Sequence, residues 1–387
     1  MALPLRYNVR NVLVRWRSTI ATVLGIALVV AVFVLLQSLA IGIEKSSGNT
    51  GDPRNVMVVR KGSTAESSSL VTREQLRSIQ YFEEIARNEK GETLISADVL
   101  TLMSLPRKDG SGEANVMLRG VTARGLELRP QVALVDGRWF SPGKREIVVS
   151  KRLAARFANF EIGQTFKTGP ARLIVVGWLD GGGSAFDSEC WMDADEVRSI
   201  FDRDMYSSLL IRPLNEGARD KLIHRIETDK RMQLRAELET EYYKKQTMTA
   251  TPIKWLGGFL AITMSIGAVF AAMNTMYASV GARTREIGTL RVLGFRRRTV
   301  VLSFLIEGAL LALFGGVLGC LLALPMNGYS TATMGFETFS EKVFEFTITP
   351  ELMLRGCLFA VIVGIAGTFF PAVRASRLPV ISALKSL

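Results

Sequence analysis

The sequence predicts an α-helical membrane protein with four transmembrane helices plus a mixed α/β extracytoplasmic domain inserted between helices 1 and 2. Three observations carry this. Four apolar runs cover 18–43, 253–281, 300–327 and 352–373, and each can cross a hydrocarbon core of ~30 Å, which takes about 20 helical residues. A charged, soluble-looking block separates the first run from the second. The excess of positive charge lies beside the runs and not in that block: segments 1–17, 282–299 and 374–387 hold thirteen basic residues against the single acidic Glu286, whereas 44–254 holds 33 basic and 30 acidic residues.

With four spans, the three basic segments share one side, and the positive-inside rule makes that side the cytoplasm. Both termini are therefore expected inside and the block outside. The net charge of +12 and pI of about 9.8 would suit a nucleic-acid binder. Here the excess sits at helix ends, where it sets topology and meets anionic headgroups at ~1 kcal/mol per residue, so no nucleic-acid partner is expected.

Residues 1–17 place Leu5, Val9, Val12, Leu13 and Trp16 against Arg6, Arg10 and Arg17, the pattern of an interfacial amphipathic helix. The run 18–43 is read as an uncleaved span, because its core from Ile20 to Leu36 outlasts the apolar region of a signal peptide, about 7–15 residues. The domain and its stalk occupy 44–252. β-type runs fall at 55–60, 116–121, 145–150, 172–179 and 207–212, and helical patterns at 72–88, 151–157 and 193–201, the last opening on Asp193 as a cap with Glu196 three positions on. Segments 216–230 and 237–251 read as polar or amphipathic helix. Should the second run straight into Ile253, helix and span would form one rod, acting as a lever or as a spacer. Of the three cysteines only Cys190 lies in the block, so the block must hold by its core and not by an internal disulfide.

The spans carry small residues at four-residue spacing, which lets backbones approach where lipid offers no hydrophobic drive. The second span (253–281) has Gly257, Ala261 and Ser265, then Ala268 and Ala272. The third (300–327) has Gly308, Ala312 and Gly316, with Gly315 and Gly319 alongside. The fourth (352–373) has Gly364 and Gly367, three positions apart. These faces suit packing within the chain or on a second copy. Glu307 is an ionisable residue inside the third span, open to three readings: reaching a neighbouring arginine or the interface, coupling, or an ion path. Residues 328–351 are an extracytoplasmic loop and 374–387 a cytoplasmic tail.

The stretch 274–294 resembles the signature of MacB/FtsX-type ABC transporter permeases. Arg283, Thr284, Arg285, Glu286, Ile287, Gly288, Leu290, Arg291, Leu293 and Gly294 match its [E]RTREIGxLRxLG pattern, with Ala282 where glutamate is usual. Segments 304–319 and 367–384 resemble the family's third span and its PAxxASRxxPxxAL ending, and 120–121, 134–140, 146–150 and 175–177 resemble its extracytoplasmic domain.

The resemblance implies that 282–299 holds an ATPase-coupling helix. Ile287, Leu290 and Leu293 would form an apolar ridge, Arg283, Arg285 and Arg291 would meet acidic residues of the partner, and Gly288 would permit close approach. By charge alone a basic loop lying on anionic lipid is the better fit, and the motif turns the reading to a docking helix. The implied protein is a permease subunit of the bacterial inner membrane that works with a separate cytoplasmic ABC ATPase and a second permease copy. It would move its extracytoplasmic domain to export or extract a lipid, lipoprotein or amphiphile, with membrane lipid and a periplasmic adaptor as further contacts. The alternative is an ATPase-linked signalling or scaffold protein controlling an extracytoplasmic partner such as a cell-wall hydrolase. The chain shows no GxxxxGK[ST] phosphate loop, so ATP and Mg are expected on the partner, with no catalytic, cofactor or metal residues here. His224 reads as a surface residue and Cys190 as structural.

Overall fold

The computed structural model describes residues 16–169, 171–246, 250–334 and 340–377. The amphipathic pattern of 1–17, up to Arg15, the junction 247–249 and the tail beyond Arg377 lie outside the described residues. Contacts divide the chain into two units, one of 1–41, 252–329 and 346–387, the other of 42–251 with 330–345.

Helix α1 (Trp16–Gly48) opens the described chain. The inserted domain then runs β1 (Val56–Arg60), α2 (Arg73–Ile79), β2 (Ile95–Pro106), β3 (Glu113–Val121), α3 (Ala123–Leu128), β4 (Ala133–Gly137), β5 (Glu146–Ser150), α4 (Lys151–Ala154), β6 (Thr165–Thr168), β7 (Ala171–Asp180), β8 (Glu189–Asp193), α5 (Ala194–Ile200), β9 (Ser208–Ile211), α6 (Glu216–Thr228), β10 (Leu234–Leu238) and α7 (Glu239–Gln246). One mixed sheet orders the strands β10-β1-β9-β2-β3-β8-β5-β7-β4, with β6 on β7. The pairs β3–β8 and β5–β7 are parallel, so a crossover and not a tight turn joins each. Central strands such as β5 are buried along their whole length, which explains why they read as continuous apolar runs and not as alternation.

A second contribution comes from the segment between the third and fourth apolar helices. Hairpin β11 (Ser330–Met334) and β12 (Glu341–Glu345) belongs to this unit. Its buried Glu341 accepts from Arg107 Nη2 at 2.7 Å and from Arg156 Nε at 2.8 Å, and Val343 N–H donates to Ser188 Oγ at 2.8 Å. The loop expected at 328–351 is thus in part a structured piece of the domain.

The domain's core holds a buried ionic cluster. Arg119 donates to Glu189 at 2.7 and 2.9 Å, to Glu66 at 3.0 Å through two nitrogens, to Asp98 at 3.3 Å and to the Tyr243 hydroxyl at 3.2 Å. Arg129 donates to Asp98 at 2.7 Å and lies 3.4 Å from Glu239, and the Phe186 ring sits 5.5 and 5.4 Å from the two guanidinium carbons. Glu239 accepts from the Asp52 N–H and from Asn55 Nδ2, both at 2.9 Å, so the first residues after α1 and the first of α7 meet in one cluster. Gly51 makes this possible: its φ is +89°, and a Cβ there would stand 2.7 Å from Glu239 Cγ. Burial works to raise the Glu66 carboxyl, but Arg119 and the Ser208 hydroxyl outweigh it and hold it below its usual range. Glu239, with weaker compensation, is pushed up by burial.

The other unit contains α1 up to Ile41 and four further helices, α8 (Ala250–Ala282), α9 (Thr284–Val292), α10 (Arg297–Ala323) and α11 (Pro350–Ser376). Among the described residues four helices are long and apolar enough to cross a bilayer, with best spans at Ile20–Gly48, Trp255–Ala282, Arg297–Met326 and Pro350–Ser376. The small-residue stripe of α10 packs within the chain. A Cβ at Gly308 would fall on the Thr368 side chain, Gly316 lies against Ala360, and Ala312 lies against Gly364, all on α11. Gly315 and Gly319 receive α1 at Ile26, Ala27 and Val30. On α8, Gly257 faces Leu36, Ala261 is buried, and Ser265 turns its hydroxyl back to the Ala261 carbonyl at 2.6 Å. Only 22% of the α8 window is buried, against 39–50% for the other three, so Trp255, Phe259, Ile262, Ile266 and Phe270 form an uncovered face.

Several sequence expectations are corrected. The helix expected over 72–88 ends at Ile79, after which the chain makes bridges at Ile85 and Arg87. The segment 237–251 starts as the end of β10, because Glu237 and Leu238 pair with β1, and turns helical at Glu239. Asp193 caps α5 by position, yet its side chain makes no capping bond; its carboxylate accepts from the Gly143 N–H at 3.3 Å instead.

Candidate coupling site

The segment joining α8 to α10 contains the residues of the quoted motif, and its form follows from them. Helix α8 ends at Ala282, and Arg283, with φ −111° and ψ 13°, leaves helical geometry and serves as the N-cap of α9. At the far end Gly294 adopts φ +88°, its N–H bonding to the Arg291 carbonyl at 3.2 Å and the Phe295 N–H to Leu290 at 3.1 Å. This is the paired closure of a Schellman motif, in which a residue at positive φ is needed just beyond the helix. Gly294 therefore has a backbone reason to be glycine. Glu286 in the first turn and Arg291 in the last complement the helix dipole.

One face of α9 is committed inside the chain. Ile287 packs into a buried cluster with Met276 and Val280 of α8, Val300 and Phe304 of α10, and Ala372 and Ala375 of α11. Gly288 is buried beside it. Arg283, 5% exposed, donates from its two terminal nitrogens to the two Glu307 oxygens at 2.9 and 3.1 Å, and Glu307 is itself 4% exposed. Three residues expected to face a partner, Arg283, Ile287 and Gly288, are thus turned inward. The physical reason is the charge of Glu307, which in an apolar span demands a cation, and Arg283 supplies it.

The opposite face is open. Val292 and Leu293 are 60% and 69% exposed, Arg285, Glu286, Thr289 and Gly294 are exposed beside them, and Leu290 and Arg291 are half-buried. Exposed Arg296, Arg297 and Arg298 follow immediately. The result is a short apolar step with a basic surround. Val292 was missed by the sequence reading, although its place next to Leu293 at the helix end was the available signal.

The enzyme-type residues lead elsewhere. His224 is exposed on α6. Cys190 is fully buried, and burial pushes its thiol well above the usual value, the reverse of an activated nucleophile.

Four apolar helices with a mixed-sheet domain inserted after the first, and a capped helix tucked between the second and third, define a multi-pass membrane protein of permease type. Residues 19–228 match the MacB-like periplasmic core domain and residues 258–380 the FtsX-like permease C-terminal region. The chain belongs to the MacB/FtsX-type family of ABC transporter permeases. Among curated relatives, the macrolide export ATP-binding/permease protein MacB of Bordetella avium is 27% identical over 327 residues, covering 76% of this chain and 48% of that protein. The pyoverdine export ATP-binding/permease protein PvdT of Pseudomonas syringae pv. tomato is 34% identical over 131 residues, 34% of this chain and 18% of that one. The chain spans about half the length of the first of these relatives. Among solved structures, the periplasmic region of MacB from Actinobacillus actinomycetemcomitans aligns with a TM-score of 0.38 and 12% identity, over 50% of this chain and 92% of that one.

Proposed function

We propose that this chain is the membrane subunit of a transporter driven by a cytoplasmic ABC ATPase, which docks on the open face of α9. The observation that carries the reading is the exposed pair Val292 and Leu293 on a helix whose other face is locked to three spans. An apolar step that is costly to expose, flanked by Arg285 and Arg296, fits a groove with acidic margins on a soluble partner. ATP and its Mg would be bound by that partner. Closure of the ATPase would displace α9, and the spans would pass the displacement to the inserted domain, which acts outside the membrane on a lipid, lipoprotein or amphiphile. The spans support movement outside the bilayer over passage through a channel, since their one described buried carboxylate, Glu307, is occupied by Arg283. A second copy of the chain would complete the assembly, and α8, the least buried of the four long helices, offers it an apolar face.

The test is purification of the full chain from its native membrane in mild detergent, with MgATP hydrolysis measured on the product. The parent is expected to bring a nucleotide-binding subunit and activity with it, and V292D and L293D to lose both while still folding. Retention by both variants would remove α9 as the docking site. A parent that carries an extracytoplasmic signalling protein and no ATPase would replace the transporter reading with a scaffold.

A further inference from the structure

We propose that the Arg283–Glu307 pair is the joint through which displacement of α9 enters the third and fourth spans; the inference rests on the docking reading above. Arg283 stands at the corner where α8 gives way to α9, and its backbone is part of both, its N–H bonding to Val280 and its carbonyl accepting from Ile287 at 3.0 Å. Its side chain reaches α10 by a two-bond fork, 2.9 and 3.1 Å. A planar fork fixes orientation as well as separation, whereas the apolar contacts around Ile287 allow sliding. Beyond Glu307 the path is tight. The next residue, Gly308, lies against Thr368, and Gly364 lies against Ala312, so α10 and α11 have no slack at that level. Gly367 in turn lies on Ala272 of α8, which closes the loop of three helices. Movement of the corner without movement of α10 would pull a buried guanidinium from a buried carboxylate, each then without its counter-charge. Arg283 and Glu307 are positioning residues in this account, since neither lies on the open face that would meet the ATPase.

The test uses the full chain with its co-purifying ATPase in lipid nanodiscs, and hydrogen exchange with and without MgATP and vanadate. In the parent, nucleotide is expected to change exchange in both α9 and the second half of α11. In E307Q and R283Q the ATPase stays bound and α9 still responds, while the α11 response falls by about fivefold or more, the lower range of ordinary coupling. The reversed pair, R283E with E307R, regains it. R283K keeps the charge balance if the neutral variants fold poorly, and is expected to show the same split through loss of the fork. An α11 response equal to the parent in E307Q or R283K overturns the joint. So does loss of the ATPase in these variants, because the pair would then shape the docking face and not transmit from it. A parent with bound ATPase but no response in α9 overturns the docking reading and this inference together.

Discussion

Replacing Arg119 by methionine probes the cluster that ties the two ends of the inserted domain. The methionine chain keeps much of the volume but leaves Glu66, Glu189 and Asp98 without the guanidinium that bonds all three. Removing one partner of a buried pair costs roughly 3–5 kcal/mol because the other charge remains buried. Asp98 keeps Arg129, at 2.7 Å, but Glu66 and Glu189 lose their arginine, so the upper end, about 5 kcal/mol, is expected. That is a large share of a domain stability of about 5–15 kcal/mol. For a domain of about 150–250 residues, each kcal/mol moves Tm by about 2–4 °C, so R119M should melt about 10–20 °C below the parent. Differential scanning calorimetry of the full chain in nanodiscs at pH 7 measures this. R54M is the control: its pair with Asp52 has an arginine side chain 65% exposed, and the expected loss is below about 1 kcal/mol. An R119M transition within about 2 °C of the parent would refute the reasoning, because it corresponds to ~1 kcal/mol or less at this size.

Further predictions follow from other contacts. Arg138, donating to both Glu146 oxygens at 2.7 Å, with help from the Ser141 N–H, holds that carboxyl down to about 2 from 4.5. A depressed folded value stabilises above the unfolded value and fades as pH falls through the folded one, so the Tm gap between parent and E146Q should be full above about pH 5 and close toward pH 2. G308V should weaken the α10–α11 contact by about 1–3 kcal/mol through overpacking on Thr368, seen as a lower detergent melting temperature, with G308A intermediate. E341Q should speed hydrogen exchange and proteolysis in β11–β12 while β1, β5 and β9 keep their protection, since both arginines that grip the hairpin lose their carboxylate.

The four long helices were legible because about 20 uninterrupted apolar residues admit few other structures. β1, β5 and β7 were legible as β-branched runs between turns, and β9 as a short apolar run. β2 was not: Ser96, Asp98, Thr101 and Ser104 break its pattern, and the burial of Asp98 depends on Arg119 and Arg129, which lie later in the chain. The β11–β12 pair was equally hidden, because it is held by Arg107, Arg156 and Ser188, far off in the chain. At the coupling site, the existence of a short helix could be read from the motif, but not its rotation. The rotation is set by Glu307, which draws Arg283 inward and carries Ile287 and Gly288 with it, leaving Val292 and Leu293 outside.

The most direct test of the account is a photo-crosslinking amino acid placed at Leu293 of the full chain, irradiated in native membranes, with a second probe at buried Ile287 as the control. The account predicts an adduct between position 293 and a cytoplasmic ATPase carrying a phosphate-binding loop, with none from position 287. Adducts from position 293 to lipid alone would contradict it.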